Sequence, residues 1–126
     1  MTTRVYGIRH GETAWNASGR WQGHAAVPLS DTGLEQARIL ARYLAQNGPR
    51  FAALYSSDLL RAMQTAQAIA GALDLPVCPD TRLREVDTGE WQGMTRTEVE
   101  AWDAERYAAF QANWHEVPIP GGESRN

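Results

Sequence analysis

Apolar and polar positions alternate in blocks along the chain, and each block changes period. Residues 3–8, with Val5-Tyr6-Gly7-Ile8 at their centre, form a short apolar run that stops at Arg9 and reads as a first strand. A polar loop from Ala17 to Val27 follows a glycine-containing turn at Arg9–Asn16. Pro28-Leu29-Ser30 then introduces a helix, with Ser30 as its N-cap and Thr32-x-x-Glu35 offering a capping box one register later. Leu34, Ala37, Ala41 and Leu44 recur at helical spacing, and Gly48-Pro49 ends the helix. Ala52–Ser56 reads as a second strand. Ser57 is placed to cap the next helix, with Asp58 in its first turn and an apolar stripe of Leu59, Ala62, Ala66, Ile69 and Leu73. Leu75–Cys78 reads as a third strand, followed by a turn at Pro79-Asp80. After the glycine-bracketed loop Gly89–Gly93, Thr95-x-x-Glu98 is a capping box opening a helix of roughly four turns. Its stripe of Val99, Trp102, Ala109 and Phe110 is looser than the others, and Val117–Gly122 is turn-rich.

Strand, helix, strand, helix, strand is the order of an α/β protein with a mainly parallel sheet. Ligands of such sheets bind beyond the carboxyl ends of the strands. Three groups with chemistry follow strand ends here: Arg9-His10, Arg61, and, after a turn, Glu85. Two fixed cations suit a dianionic phosphate, a histidine suits attack on phosphorus, and a carboxyl suits proton transfer to a leaving alkoxide. An ion pair of Glu85 with Arg82 or Arg84 is the competing structural explanation for that carboxylate.

Composition narrows the function further. The 126 residues suit one domain, and a net charge of −3 argues against a nucleic-acid or anionic-membrane surface. All 12 basic residues are arginines, which is read as compositional bias. The single Cys78 cannot form an intrachain disulfide, and no Cys/His cluster has zinc spacing, so neither metal nor cofactor is expected. No apolar stretch suggests a signal peptide or membrane span, and the expected location is cytoplasmic. His24 and His115 read as solvated or helix-end residues. Trp15, Trp21 and Trp91 suit either a pocket wall or the core.

Several ordered motifs resemble the histidine phosphatase superfamily, the phosphoglycerate-mutase-like proteins. They are Arg9-His10-Gly11-Glu12-Thr13-x-x-Asn16, Gln22-Gly23, Pro28-Leu29-Ser30, Tyr55-Ser56-Ser57-Asp58-Leu59-x-Arg61-Ala62-x-x-Thr65-Ala66, Leu83-Arg84-Glu85-x-x-x-Gly89-Glu90-Trp91-Gln92-Gly93, and Pro120-Gly121-Gly122-Glu123-Ser124. The resemblance implies a three-layer α/β/α fold. It implies His10 as phosphoryl acceptor, Arg9 and Arg61 as phosphate clamps, Asn16 as an amide contact, Gln22 and Gly23 at the substrate entrance, and Glu85 as proton donor and acceptor. The segment Gly89–Gly93 resembles the phosphatase branch, so a phosphomonoesterase acting on a small phosphorylated metabolite is expected. A phosphoglycerate-type mutase or a non-catalytic phosphate-binding relative is the alternative. The family also carries a second catalytic histidine on a later strand inside the sheet, and no residue here fills that role. The resemblance therefore reads residues 1–126 as the N-terminal portion of one domain, incomplete at its C-terminus: a shortened product, or a chain completed by another copy in a homo-oligomer.

Overall fold

The computed structural model describes residues 1–123, so Ser124 of the last motif lies outside the described residues. The elements are α1 (Ala14–Ala17), α2 (Asp31–Asn47), β1 (Leu54–Ser56), α3 (Leu60–Leu73), β2 (Val77–Pro79), α4 (Arg96–Trp102) and α5 (Ala104–Ala112). Short 3-10 turns occur at Thr81–Leu83 and Gly89–Trp91.

Helix α2 forms because its ends are satisfied. The Ser30 hydroxyl accepts from the Gly33 N–H, and Gly48 closes the other end by donating to the Leu44 carbonyl. The Thr32–Glu35 box is not the cap. Ala37, Ala41 and Leu44 are buried, as their spacing requires. Small residues on this face let α3 approach, and Ile69 of α3 fills the contact with Ala41 and Leu44. Its near-complete burial is worth about 2–3 kcal/mol. Strands β1 and β2 pair in parallel, in the register Leu54↔Val77, Tyr55↔Cys78 and Ser56↔Pro79, with α3 as the crossover. The α/β class therefore stands.

Four expectations need correction. Residues 3–8 form no strand: residues 1–9 are exposed, with Val5 at 88%. A strand exists only through its ladder, and among the described residues no strand pairs with this segment. Within it, Tyr6 packs edge-on to Phe51, 5.2 Å between centroids. The other two strands are shorter or shifted relative to the expected 52–56 and 75–78. Helix α3 begins at Leu60, not after Ser57: the Ser57 hydroxyl accepts from the Leu59 N–H, while the N-cap Leu59 has no side-chain cap. Finally, the expected single helix after Thr95 is two.

The Thr95–Glu98 capping box forms, but Asp103, at φ −145° and ψ 58°, interrupts the helical ladder. Arg106 pairs with its carboxylate across the break. The new direction turns Tyr107 into a second core with Trp91, Val99 and Ile119, and leaves Trp102 57% exposed. In this core Trp91 is fully buried and meets Trp21 edge-to-face at 5.2 Å and Phe110 at 5.3 Å. Trp91 is thus core rather than pocket wall. This second core carries the loop that precedes α4 and the turn-rich segment around Ile119.

Candidate active site

The turn at Arg9–Asn16 is fastened to both large helices. The Glu12 N–H donates to Gln36 Oε1 of α2 at 2.9 Å, and the Glu12 carbonyl accepts from the Ser30 N–H at 2.8 Å. The Gly11 N–H donates to Thr65 Oγ1 of α3 at 3.1 Å, and Thr65 in turn donates to the Arg61 carbonyl at 2.9 Å. Gly11 is required by close approach: a Cβ there would lie 2.5 Å from the Gly33 carbonyl oxygen.

This fixed turn sets the state of His10. Its Nδ1 lies 2.7 Å from the Gly11 carbonyl oxygen, which can only accept. Nδ1 therefore carries the proton, and Nε2 keeps its lone pair. Burial lowers the His10 pKa from the ordinary 6.5. The Gly11 bond opposes that, the charges of Arg61 and Arg9 add to the lowering, and Glu85 opposes it. The imidazole is thus held neutral, in one tautomer, within the field of two guanidinium groups and one carboxylate.

Arg61 lies in the first turn of α3 and is 2% exposed. Its Nη2 donates to the Gly23 carbonyl at 2.7 Å and its Nη1 to the Ala25 carbonyl at 3.2 Å. Arginine has five N–H donors, so the fork is anchored without being exhausted. Burial lowers its pKa, and the Glu85 charge raises it. Arg9 is exposed at the start of the turn.

Asn16 has a structural duty: its Oδ1 accepts from the Thr13 N–H at 3.0 Å, completing the cap of α1. The buried Thr13 hydroxyl donates to Gln22 Oε1 at 2.6 Å, fixing the start of the next loop. Gly23 has φ +52°, and a Cβ there would fall 2.4 Å from Thr88 Oγ1.

Glu85 is exposed and follows β2 through the Thr81–Leu83 turn. Its Oε1 accepts from the Val86 N–H at 2.9 Å. The two arginines proposed to pair with it are engaged elsewhere. Arg82 bonds Asp80, with Nη2 to Oδ2 at 2.6 Å, and Arg84 forms a bidentate pair with Asp58 at 2.6 and 2.5 Å.

All seven expected residues, Arg9, His10, Asn16, Gln22, Gly23, Arg61 and Glu85, line one open cleft of about 1980 Å³. The cleft extends along residues 2–8 to β1. Two contributors were not expected as such. Thr65 couples the His10 turn to Arg61, and its place four residues after Arg61 on the same helix face was the available signal. His24 is not a solvated loop residue: its Nε2 donates to the Glu85 carbonyl at 2.8 Å. His115 is exposed and stacks on Trp114 at 3.6 Å.

A neutral histidine with a directed lone pair, two guanidinium groups and a carboxylate that forms no ion pair among the described residues thus line one cleft. The sequence profile described as "Histidine phosphatase superfamily (branch 1)" matches residues 5–126. The chain belongs to that superfamily. Superfamily relatives include the glucosyl-3-phosphoglycerate phosphatase of Mycolicibacterium vanbaalenii, 44% identical over 97% of this chain and 53% of the relative. The adenosylcobalamin/alpha-ribazole phosphatase of Escherichia coli is 37% identical over 94% of this chain and 58% of its own. A solved structure of a putative alpha-ribazole-5′-phosphate phosphatase from Escherichia coli superposes with a TM-score of 0.86 at 36% identity, covering 93% of this chain and 57% of that one. The chain thus spans about half the length of the superfamily relatives it matches. Among the described residues, no helix is long and apolar enough to cross a membrane.

Proposed function

We propose that this chain carries the phosphoryl-accepting centre of a phosphomonoesterase acting on a small phosphorylated metabolite in the cytoplasm. The observation that carries the reading is the His10 Nδ1–H bond to the Gly11 carbonyl, which leaves Nε2 as the free nucleophilic nitrogen beside Arg9 and Arg61. Nε2 attacks phosphorus as the ester P–O bond breaks, giving a phosphohistidine. Glu85, as the carboxylic acid, donates its proton to the departing alkoxide. Arg9 and the unused N–H groups of Arg61 stabilise the phosphoryl oxygens. Water then attacks the phosphohistidine, the Glu85 carboxylate takes the proton, and inorganic phosphate leaves with His10 neutral again. Asn16 and Gln22 offer amide groups at the cleft wall, and Gly23 allows the loop to lie close to Thr88. The net charge of −3 supports a small substrate reached through a local cationic site rather than a nucleic acid. The named phosphatases among the relatives support hydrolysis over mutase chemistry.

The test is chemical labelling of the chain itself. Incubation with an aryl phosphate should give about one acid-labile, alkali-stable phosphate per chain, located on His10. His10→Ala should abolish it. Label that persists in that variant, or that maps elsewhere, refutes the assignment. Release of inorganic phosphate from a monoester alone separates hydrolysis from mutase transfer.

A further inference from the structure

The loop that anchors Arg61 also reaches Glu85. Gly23 and Ala25 give their carbonyls to the Arg61 guanidinium. Between them, His24 donates from Nε2 to the Glu85 carbonyl at 2.8 Å. Its Nδ1 stands 3.8 Å from Asp87 Oδ2. The same stretch of chain touches Thr88 through Gly23. On the far side of Glu85, Arg84 is tied by two bonds to Asp58, two residues before α3 begins. The result is a closed circuit: Glu85 to His24, through the loop to Arg61, back along the chain before α3 to Asp58, and on through Arg84.

We propose that His24 is a positioning residue, holding the Glu85 carboxyl at a fixed place relative to Arg61. The inference rests on the reading of Glu85 as the proton donor. Glu85 is exposed and, among the described residues, forms no side-chain ion pair that would locate it, so its backbone must be located instead. Arg84 fixes one flank through a side chain, and Glu85 Oε1 accepts from the Val86 N–H of the same peptide, so the carboxylate follows that peptide's rotation. The His24 bond to the Glu85 carbonyl removes that rotation. A proton donor displaced by about 1 Å loses a large part of its effect, whereas an arginine-held phosphate is left in place. His24 therefore acts on the leaving group and not on the phosphate.

This division can be read out by single-turnover phosphorylation of His10, using an alkyl and an aryl monoester. His24→Ala should slow labelling by the alkyl ester about 10-fold or more, since that leaving group needs the proton, and change labelling by the aryl ester less than about 3-fold. His24→Gln, whose Nε2 can still donate to the Glu85 carbonyl, should recover most of the alkyl rate. Equal slowing of both esters, or no slowing of either, overturns the positioning role while leaving His10 labelling intact. Absence of labelling in the unmodified chain defeats the proposed function and this inference with it. Independently of activity, the imidazole ¹⁵N spectrum should show His24 as the Nε2–H tautomer. A freely exchanging tautomer mixture overturns the proposal.

Discussion

Thr65→Val removes one oxygen from the joint between the His10 turn and α3 while keeping the shape of the side chain. Thr65 is 4% exposed, and its hydroxyl accepts from the buried Gly11 N–H at 3.1 Å. The hydroxyl's other bond, to the Arg61 carbonyl, matters less, because that carbonyl is in a helix and keeps its backbone partner. The loss is thus one buried N–H left without an acceptor, costing about 1–3 kcal/mol. For a chain of this size each kcal/mol corresponds to roughly 3–6 °C in Tm. Thr65→Ser keeps the acceptor and loses a methyl group, for about 1 kcal/mol. Urea titration followed by tryptophan fluorescence gives both values under one protocol. The expected order is wild type, then Ser, then Val, with Val also slowing His10 phosphorylation by either ester because the His10–Gly11 peptide loses its anchor. If Val matches or exceeds Ser in stability, the Gly11 N–H has another partner and the coupling through Thr65 is wrong.

Two further outcomes bear on the chemistry. Glu85→Gln should slow His10 phosphorylation by alkyl monoesters by about 10²–10⁴, and by aryl phosphates only slightly; equal slowing of both would assign Glu85 to structure rather than proton transfer. The His10 pKa is held below 6.5, chiefly by burial. The folded state therefore binds fewer protons than the unfolded state just below pH 6.5, and the associated stability is present above 6.5 and lost as pH falls through the folded pKa. The rate of labelling by an aryl phosphate should accordingly stay level as pH falls through 6.5 and decline only below it; a profile that bends at or above 6.5 contradicts a half-buried, neutral nucleophile.

What was legible in the sequence was what is decided locally. Ser30 and Gly48 bracket α2 because a cap needs only the residues beside it, and the Thr95–Glu98 box formed for the same reason. The start of α3 was misplaced because Asp58 serves Arg84, 26 residues away, rather than the helix dipole. The break at Asp103 has no glycine or proline to announce it; it is set by the packing of Tyr107 on Trp91. Residues 3–8 have strand-like composition, but pairing is a property of two segments. At the site, residue types and motif spacing identified His10, Arg61 and Glu85 as candidates. They could not show that Thr65 accepts from a residue 54 positions earlier, or that His24 reaches a carbonyl 61 positions later.

Arg61 spends part of its fork on the Gly23 and Ala25 carbonyls and presents the rest to the cleft. One codon therefore carries two duties. A lysine keeps the positive charge but has a single ammonium on a flexible stem, and it cannot span two carbonyls and an anion in one plane. Under the proposed function, any drift at this position is felt twice, once as lost affinity for the anion and once as a loosened loop between residues 22 and 25. Under that reading, adaptation toward a new substrate falls to neighbours with one duty each.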